Sequence, residues 1–276
     1  MLISELTNAL HELYAPESAE KWDYVGLLSG NPDTEIKAVS IGLDPSEDFI
    51  HYSHKMGANF LITHHPPTLK PDSLIRPDRI RSRFTYHTLS KGLAHLVIHT
   101  NFDHSKENGL EKIATRLKLT KTQRLSRSET STNPKEGYGI IGNLENPSLF
   151  SDFAKSLFLV FPSKTLALYP TNSLKSGEKK VKCVAFVNGS GGSFFERARS
   201  AGADILITGD LTHHIISDSH SIGLGLIDPG HAPSEFFFNQ HLSTQIEKIA
   251  KKAFSVFMHN QFQQRELLKN PEEVAL

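Results

Sequence analysis

Short apolar runs recur along this chain, each closed by polar residues. Ala38 to Leu43, Ala58 to Ile62, Leu93 to Ile98, Val181 to Val187 and Gly223 to Ile227 have the length and β-branched character of buried strands. Between them lie stretches with helical spacing. Asp44-Pro45-Ser46-Glu47-Asp48 supplies helix-start chemistry for a helix over Pro45 to Met56, and a second helix is predicted over Ser193 to Ala201. Phe236 to Phe257 has apolar residues at helical spacing, and the residues after Arg265 are polar enough to fray.

The pattern is used twice. Residues 36 to 65 lie on residues 181 to 210 without a gap. The shared residues are Lys37/Lys182, Val39/Val184, Phe49/Phe194, Gly57/Gly202, Ala58/Ala203, Leu61/Leu206, Ile62/Ile207 and Thr63/Thr208. Each copy reads as strand, helix and strand, a unit whose crossover implies a parallel, buried pair. Gly189-Ser190-Gly191-Gly192 makes the turn in the second copy, and a further strand follows each copy. The Ser, Thr and basic residues of Thr120 to Glu136 read as a surface connection, and Thr171 to Lys180 as a second loop. Two α/β halves are expected, 1–120 and 121–276.

Composition is that of an ordinary globular chain, with 276 residues, 38% hydrophobic and 22% charged. Thirty basic residues balance thirty acidic ones, so no overall positive field draws the chain to nucleic acid or an anionic bilayer. No run approaches the ~20 apolar residues of a membrane span, and the start shows no secretion signal, so the cytoplasm is the expected compartment. The single cysteine, Cys183, has no intramolecular disulfide partner and reads as a buried strand thiol.

Chemistry gathers at the strand ends, where α/β proteins place ligands. Thr63-His64-His65-Pro66 closes one apolar run, His99-Thr100-Asn101-Phe102-Asp103 another, and Asp210, His213, His214, His231 and Glu235 follow strands of the second half. Imidazole and carboxylate without thiolate suit zinc, manganese, iron, cobalt or nickel in an open site. Plainer roles compete. Asp103 also reads as the cap of a helix starting near Ser105, His99 as a core histidine bonded to backbone, and His213 and His214 as a solvated helix face. His51, His54, His87 and His95 fit surface or helix positions. The glycine-rich turn at 189–192 lacks the spacing and lysine of a phosphate-binding loop, and Ser190 and Ser193 lack a nucleophile-elbow motif.

Several motifs fall in one order along nearly the whole chain: Trp22-Asp23-Tyr24-Val25-Gly26-Leu27, Ile62-Thr63-His64-His65-Pro66, His99 to Asp103, Gly137-Tyr138-Gly139 with Ile141-Gly142, Thr208-Gly209-Asp210 with His214, and Gly230-His231 with Glu235. In these the chain resembles the GTP cyclohydrolase I type 2 homologues, the NIF-three-like family. The resemblance implies a duplicated three-layer α/β/α fold whose similar halves pack around a shared dinuclear metal site, in a ring-shaped homohexamer. It implies two divalent ions per chain: His64 and Asp103 on one, His65 and His231 on the other, Glu235 bridging. His99 and His214 then orient ligands or handle protons. Phe102 stands where leucine is usual, His213 is an added histidine, and the middle of the chain is too short for the inserted domain of longer relatives.

The resulting expectation is a metal-dependent hydrolase acting through a bridging water on a small molecule or nucleotide, with the purine ring of GTP as the substrate the family name suggests. A two-metal phosphoesterase or nuclease, and a non-catalytic metal-binding interaction or regulatory protein, are the alternatives. The repeat adds an asymmetry. The positions equivalent to His64 and His65 are Gly209 and Asp210, so the histidine pair is a specialisation of one copy.

Overall fold

A computed structural model describes residues 1–70, 73–127 and 133–260. Its strands, in chain order, are β1 (Gly26–Ser29), β2 (Ala38–Gly42), β3 (Phe60–Thr63), β4 (Ala94–Val97), β5 (Leu119–Arg127), β6 (Gly137–Ser148), β7 (Ala167–Tyr169), β8 (Val181–Phe186), β9 (Ile205–Ile207), β10 (Gly225–Asp228) and β11 (Ser255–Met258). They form two sheets, in a chain that divides into two compact units. The first comprises Met1–Gly109 with described residues of Arg127–Gly137 and Phe236–Phe262; the second comprises Leu110–Ser126 and Tyr138–Glu235.

The first unit holds a sheet of order β1-β4-β3-β2-β11. β2, β3 and β4 run parallel, β11 joins β2 in parallel, and β1 closes the far edge antiparallel to β4. Every residue of β2, β3 and β4 is buried, as expected of parallel strands covered on both faces. Phe49 and Ile50, from the helix Glu47–Lys55, pack with Leu61, Phe84 and Leu93.

The second unit holds a sheet of order β5-β6-β8-β9-β10-β7. β8, β9 and β10 are parallel, β7 pairs antiparallel with β10, and β6 antiparallel with β8. Its core joins Ala185, Leu206 and Leu226 to Ala198 of the helix Phe195–Ser200.

The repeat seen in sequence is a repeat in structure. Val39 pairs with Phe60 and Val184 with Ile205, so both copies share one strand register. Their helices also end alike. Gly57 (φ +70°) and Gly202 (φ +92°) take the left-handed conformation that closes a helix, and the following alanine amide returns to the carbonyl five residues back, Ala58 to Ser53 and Ala203 to Ala198. Asn59 and Asp204 occupy equivalent positions, and each side chain accepts the amide of the equivalent lysine, Lys37 (2.9 Å) or Lys182 (2.8 Å).

Several local expectations change. Thr120 to Glu136 is not all connection, because β5 covers its start as a largely exposed edge strand. The Thr171 to Lys180 loop contains the short helix Asn172–Lys175. The helix expected over Phe236 to Phe257 stops at Ala250, and β11 follows. Ser193 to Ala201 begins as a 3-10 turn before its α-helix. The reading after Arg265 lies outside the described residues.

Candidate metal centre

Three histidines converge at the carboxyl ends of β3 and β4. The ligand atoms of His64, His65 and His99 all lie within 4.8 Å of one another. Each ring has its Nδ1 committed. His64 Nδ1 donates to the Ile98 carbonyl at 2.9 Å, His65 Nδ1 donates to Asp44 at 2.8 Å, and His99 Nδ1 donates to the Asp23 carboxylate at 2.9 Å. A proton fixed on Nδ1 leaves Nε2 as the lone-pair nitrogen, the outer-shell arrangement that prepares imidazole for a cation. His64 is wholly buried against Phe102 and Phe238. Its Nε2 stands 3.7 Å from Asp103 Oδ1, too long for a hydrogen bond and close enough for one cation to reach both atoms.

Asp103 is delivered differently from expectation. It lies inside the short helix Thr100–His104, so it is not the cap of a helix starting at Ser105. Asp23 is fully buried beneath His99. Burial raises its pKa, but hydrogen bonds from His99 and Thr100 outweigh that and hold it at about 2. His99 therefore bonds to a carboxylate and not to backbone. His95 is another correction. It sits within β4, 1% exposed, with its Nε2 against Thr63 Oγ1 at 2.8 Å, and burial lowers its pKa to about 3.

The second unit builds a pair of donors. His231 opens the helix His231–Glu235, which puts Glu235 one turn along the same face. His231 Nε2 lies 3.1 Å from Glu235 Oε2, and its Nδ1 donates to Asp210 Oδ2 at 2.6 Å. Ser234 is buried and accepts the Gly189 amide at 2.8 Å, tying this helix to the glycine turn after β8. His213 and His214 are exposed at the start of the helix His213–Ser221.

The sequence model of Duf34/NIF3 (NGG1p interacting factor 3) matches residues 1–264. The chain belongs to the Duf34/NIF3 family. Among its Duf34/NIF3 relatives, a GTP cyclohydrolase 1 type 2 homolog of Streptococcus pneumoniae is 32% identical over 91% of this chain and 89% of its own. A protein of that name from Streptomyces coelicolor is 28% identical over 91% and 87%. The crystal structure of a Bacillus cereus protein related to NIF3 superposes with a TM-score of 0.87 at 18% identity, covering 98% of this chain and 99% of that one, and shows the shared fold.

The side chains of this Duf34/NIF3 chain fit a metal. The groups are imidazole and carboxylate without thiolate, which suits borderline or hard divalent ions, and the donor His64 and Glu235 are buried. Sequence reading missed the acids that orient the histidines. Asp44 directly follows the first strand of the repeat and Asp23 lies in the Trp22-Asp23 motif, so both carried a positional signal, but only folding shows which imidazole each holds.

Proposed function

We propose that the protein is a dinuclear metal hydrolase acting on the purine ring of GTP, with His64, His65, Asp103, His231 and Glu235 as ligands. The ions are divalent and drawn from zinc, iron, manganese, cobalt and nickel. The observation that carries the reading is the convergence of three imidazoles, each with Nδ1 held by a carbonyl or carboxylate. Two divalent cations, when bound, make water acidic enough to serve as a nucleophile at neutral pH and polarise the group it attacks.

The chain's own residues supply the rest. The buried Asp23 carboxylate at His99 Nδ1 stabilises the imidazolium, so His99 Nε2 can take a proton from water and return it to the departing ring nitrogen. Asp44 and Asp210 hold the rings of His65 and His231. Two waters added in turn at the imidazole carbon, the first opening the ring and the second releasing formate, would leave a diaminopyrimidine nucleotide as the other product.

The test is to load the chelator-stripped protein with each cation and incubate it with GTP, other nucleotides and phosphodiesters, following formate and purine absorbance. Formate release confined to purine nucleotides is expected. His99→Ala should keep its metal and lose about 10²- to 10⁴-fold in turnover, the range for removing a proton-transfer group. Cleavage of phosphodiesters alone would reassign the chemistry to phosphoryl transfer, and no turnover by any loaded form would leave an interaction protein.

A further inference from the structure

Trp22 is the single tryptophan of the chain, and it is 53% exposed beside the histidine cluster. A lone exposed aromatic is ordinary. This one is held in place and aimed. The turn that carries it is pinned at both sides, with the Asp23 amide bonded to the Glu20 carbonyl at 2.9 Å and the Glu20 amide bonded to Thr100 Oγ1 at 3.0 Å. Between those anchors, Asp23 is locked under His99 and accepts the Thr100 amide at 3.1 Å. The indole meets the His99 ring edge-on, with centroids 6.1 Å apart and planes at 74°. One buried carboxylate thus fixes both the imidazole of the cluster and the loop that presents the indole.

We infer that Trp22 is a stacking platform for a planar heteroaromatic ring, a purine base above all, which it presents to the His64–His65–His99 cluster. The inference rests on the hydrolase reading for its reaction, though the stacking itself does not require turnover. An aromatic face is a surface on which any nucleobase gains by stacking, and its sequence-tolerant attraction positions a ring without hydrogen-bond readout. Rigidity is what makes the platform effective. A loop already ordered by Asp23, Glu20 and Thr100 loses little freedom when the ring arrives.

A single tryptophan makes the test direct. Guanosine and ribose 5-phosphate are titrated into the zinc-loaded full-length protein while indole fluorescence is followed, and guanosine affinity is measured by calorimetry for the parent, Trp22→Ala and Trp22→Phe. Guanosine should quench saturably and ribose 5-phosphate should not. Trp22→Ala should weaken guanosine at least about fivefold, the low end of base stacking on an aromatic side chain, and Trp22→Phe should retain most of the affinity. Unchanged affinity in Trp22→Ala, absence of guanosine binding, or an indole shielded from acrylamide in the free protein would each overturn the platform, the last by placing Trp22 in a subunit interface. Saturable quenching without formate release would remove the hydrolase reading and leave the platform standing. Formate release with an unaltered KM in Trp22→Ala would do the reverse.

Discussion

Gly209 stands where the first copy has His64, and the structure explains why no side chain occupies that place. A Cβ there would lie 2.7 Å from both the N and Cα of His231 and 3.0 Å from the Gly189 carbonyl oxygen. Those are backbone atoms, which cannot rotate aside. Gly189 is crowded by side chains instead, because a Cβ on it would overlap the Glu235 carboxylate. The second copy has therefore given its strand ends to the close approach of the His231–Glu235 helix. Gly209→Ala should destabilise the protein by about 1–3 kcal/mol, as overpacking does, and disturb the donors of the second unit. Gly202→Ala, whose Cβ would meet nothing within 4 Å, should cost only the left-handed penalty of about 1–2 kcal/mol. Denaturant midpoints of the two variants, read beside their metal affinity, check this: a fall in affinity is expected for Gly209→Ala alone. Asp23→Asn tests the other unit. The amide keeps the volume but cannot support the His99 imidazolium as a carboxylate does, and removing such an outer partner should cost about 10- to 100-fold in turnover with the metal retained. An unaffected variant would show that His99 needs no charged support.

The elements that sequence made legible are those with one strong period. β2, β3 and β4 are wholly buried, so their apolar runs are unmistakable. β5 was hidden because an edge strand with most side chains in solvent carries no such run, and its Thr, Lys and Gln residues look like linker. β11 was hidden because it continues a helical pattern and is fixed by pairing with β2, more than two hundred positions away in sequence. The helix Thr100–His104 is too short to show a period, and so Asp103 looked like a cap. The strand-start clamp, by contrast, sits at aligned positions 59 and 204 but needs the structure to show its bonds. Asp204 accepts the amides of Lys182 and Cys183 at 2.8 and 3.0 Å and the Lys179 ammonium at 2.6 Å. Burial raises its pKa, yet the bonds from Lys179, Cys183 and Lys182 lower it further, and the net shift is downward. A carboxylate with a depressed folded pKa adds stability that is fully present above its unfolded pKa, near 3.9, and lost as pH falls through the folded value. Asp204→Asn should thus be less stable than the parent at pH 6, by about 1.5–3 kcal/mol for bonds to a charged group, with the gap closing below about pH 4. Denaturation curves from pH 6 to 2 measure it, and a gap that persists at the acid end would mean packing, not charge, holds this corner.

At the scale of the whole molecule, no helix among the described residues is long and apolar enough to cross a membrane, and the family assignment agrees with the motifs read along the chain. The donors of the candidate centre were legible because polar residues closing apolar runs have no packing reason to be there. Their orientation was not, since it depends on which acid or carbonyl meets each Nδ1. That division has a thermodynamic consequence. Preorganised donors bind a cation in the folded chain and not in the unfolded one, so a bound ion must stabilise the fold by mass action. A free cation at one hundred times its dissociation constant adds about 2.7 kcal/mol, which for a chain of this size raises the melting temperature by roughly 5 °C. The two units need not melt together, so each transition is followed separately against cation concentration. His64→Ala removes a donor but also opens a cavity beside Phe102 and Phe238, so its apo form will itself melt earlier. The diagnostic quantity is accordingly the cation-induced shift and not the melting temperature. It should fall well below the parent's in His64→Ala and in Asp103→Ala, while His214→Ala, altered at an exposed helix start, should keep it in full. A shift that survives both ligand substitutions would mean the cation binds elsewhere, and the convergence of His64, His65 and His99 would then need another explanation.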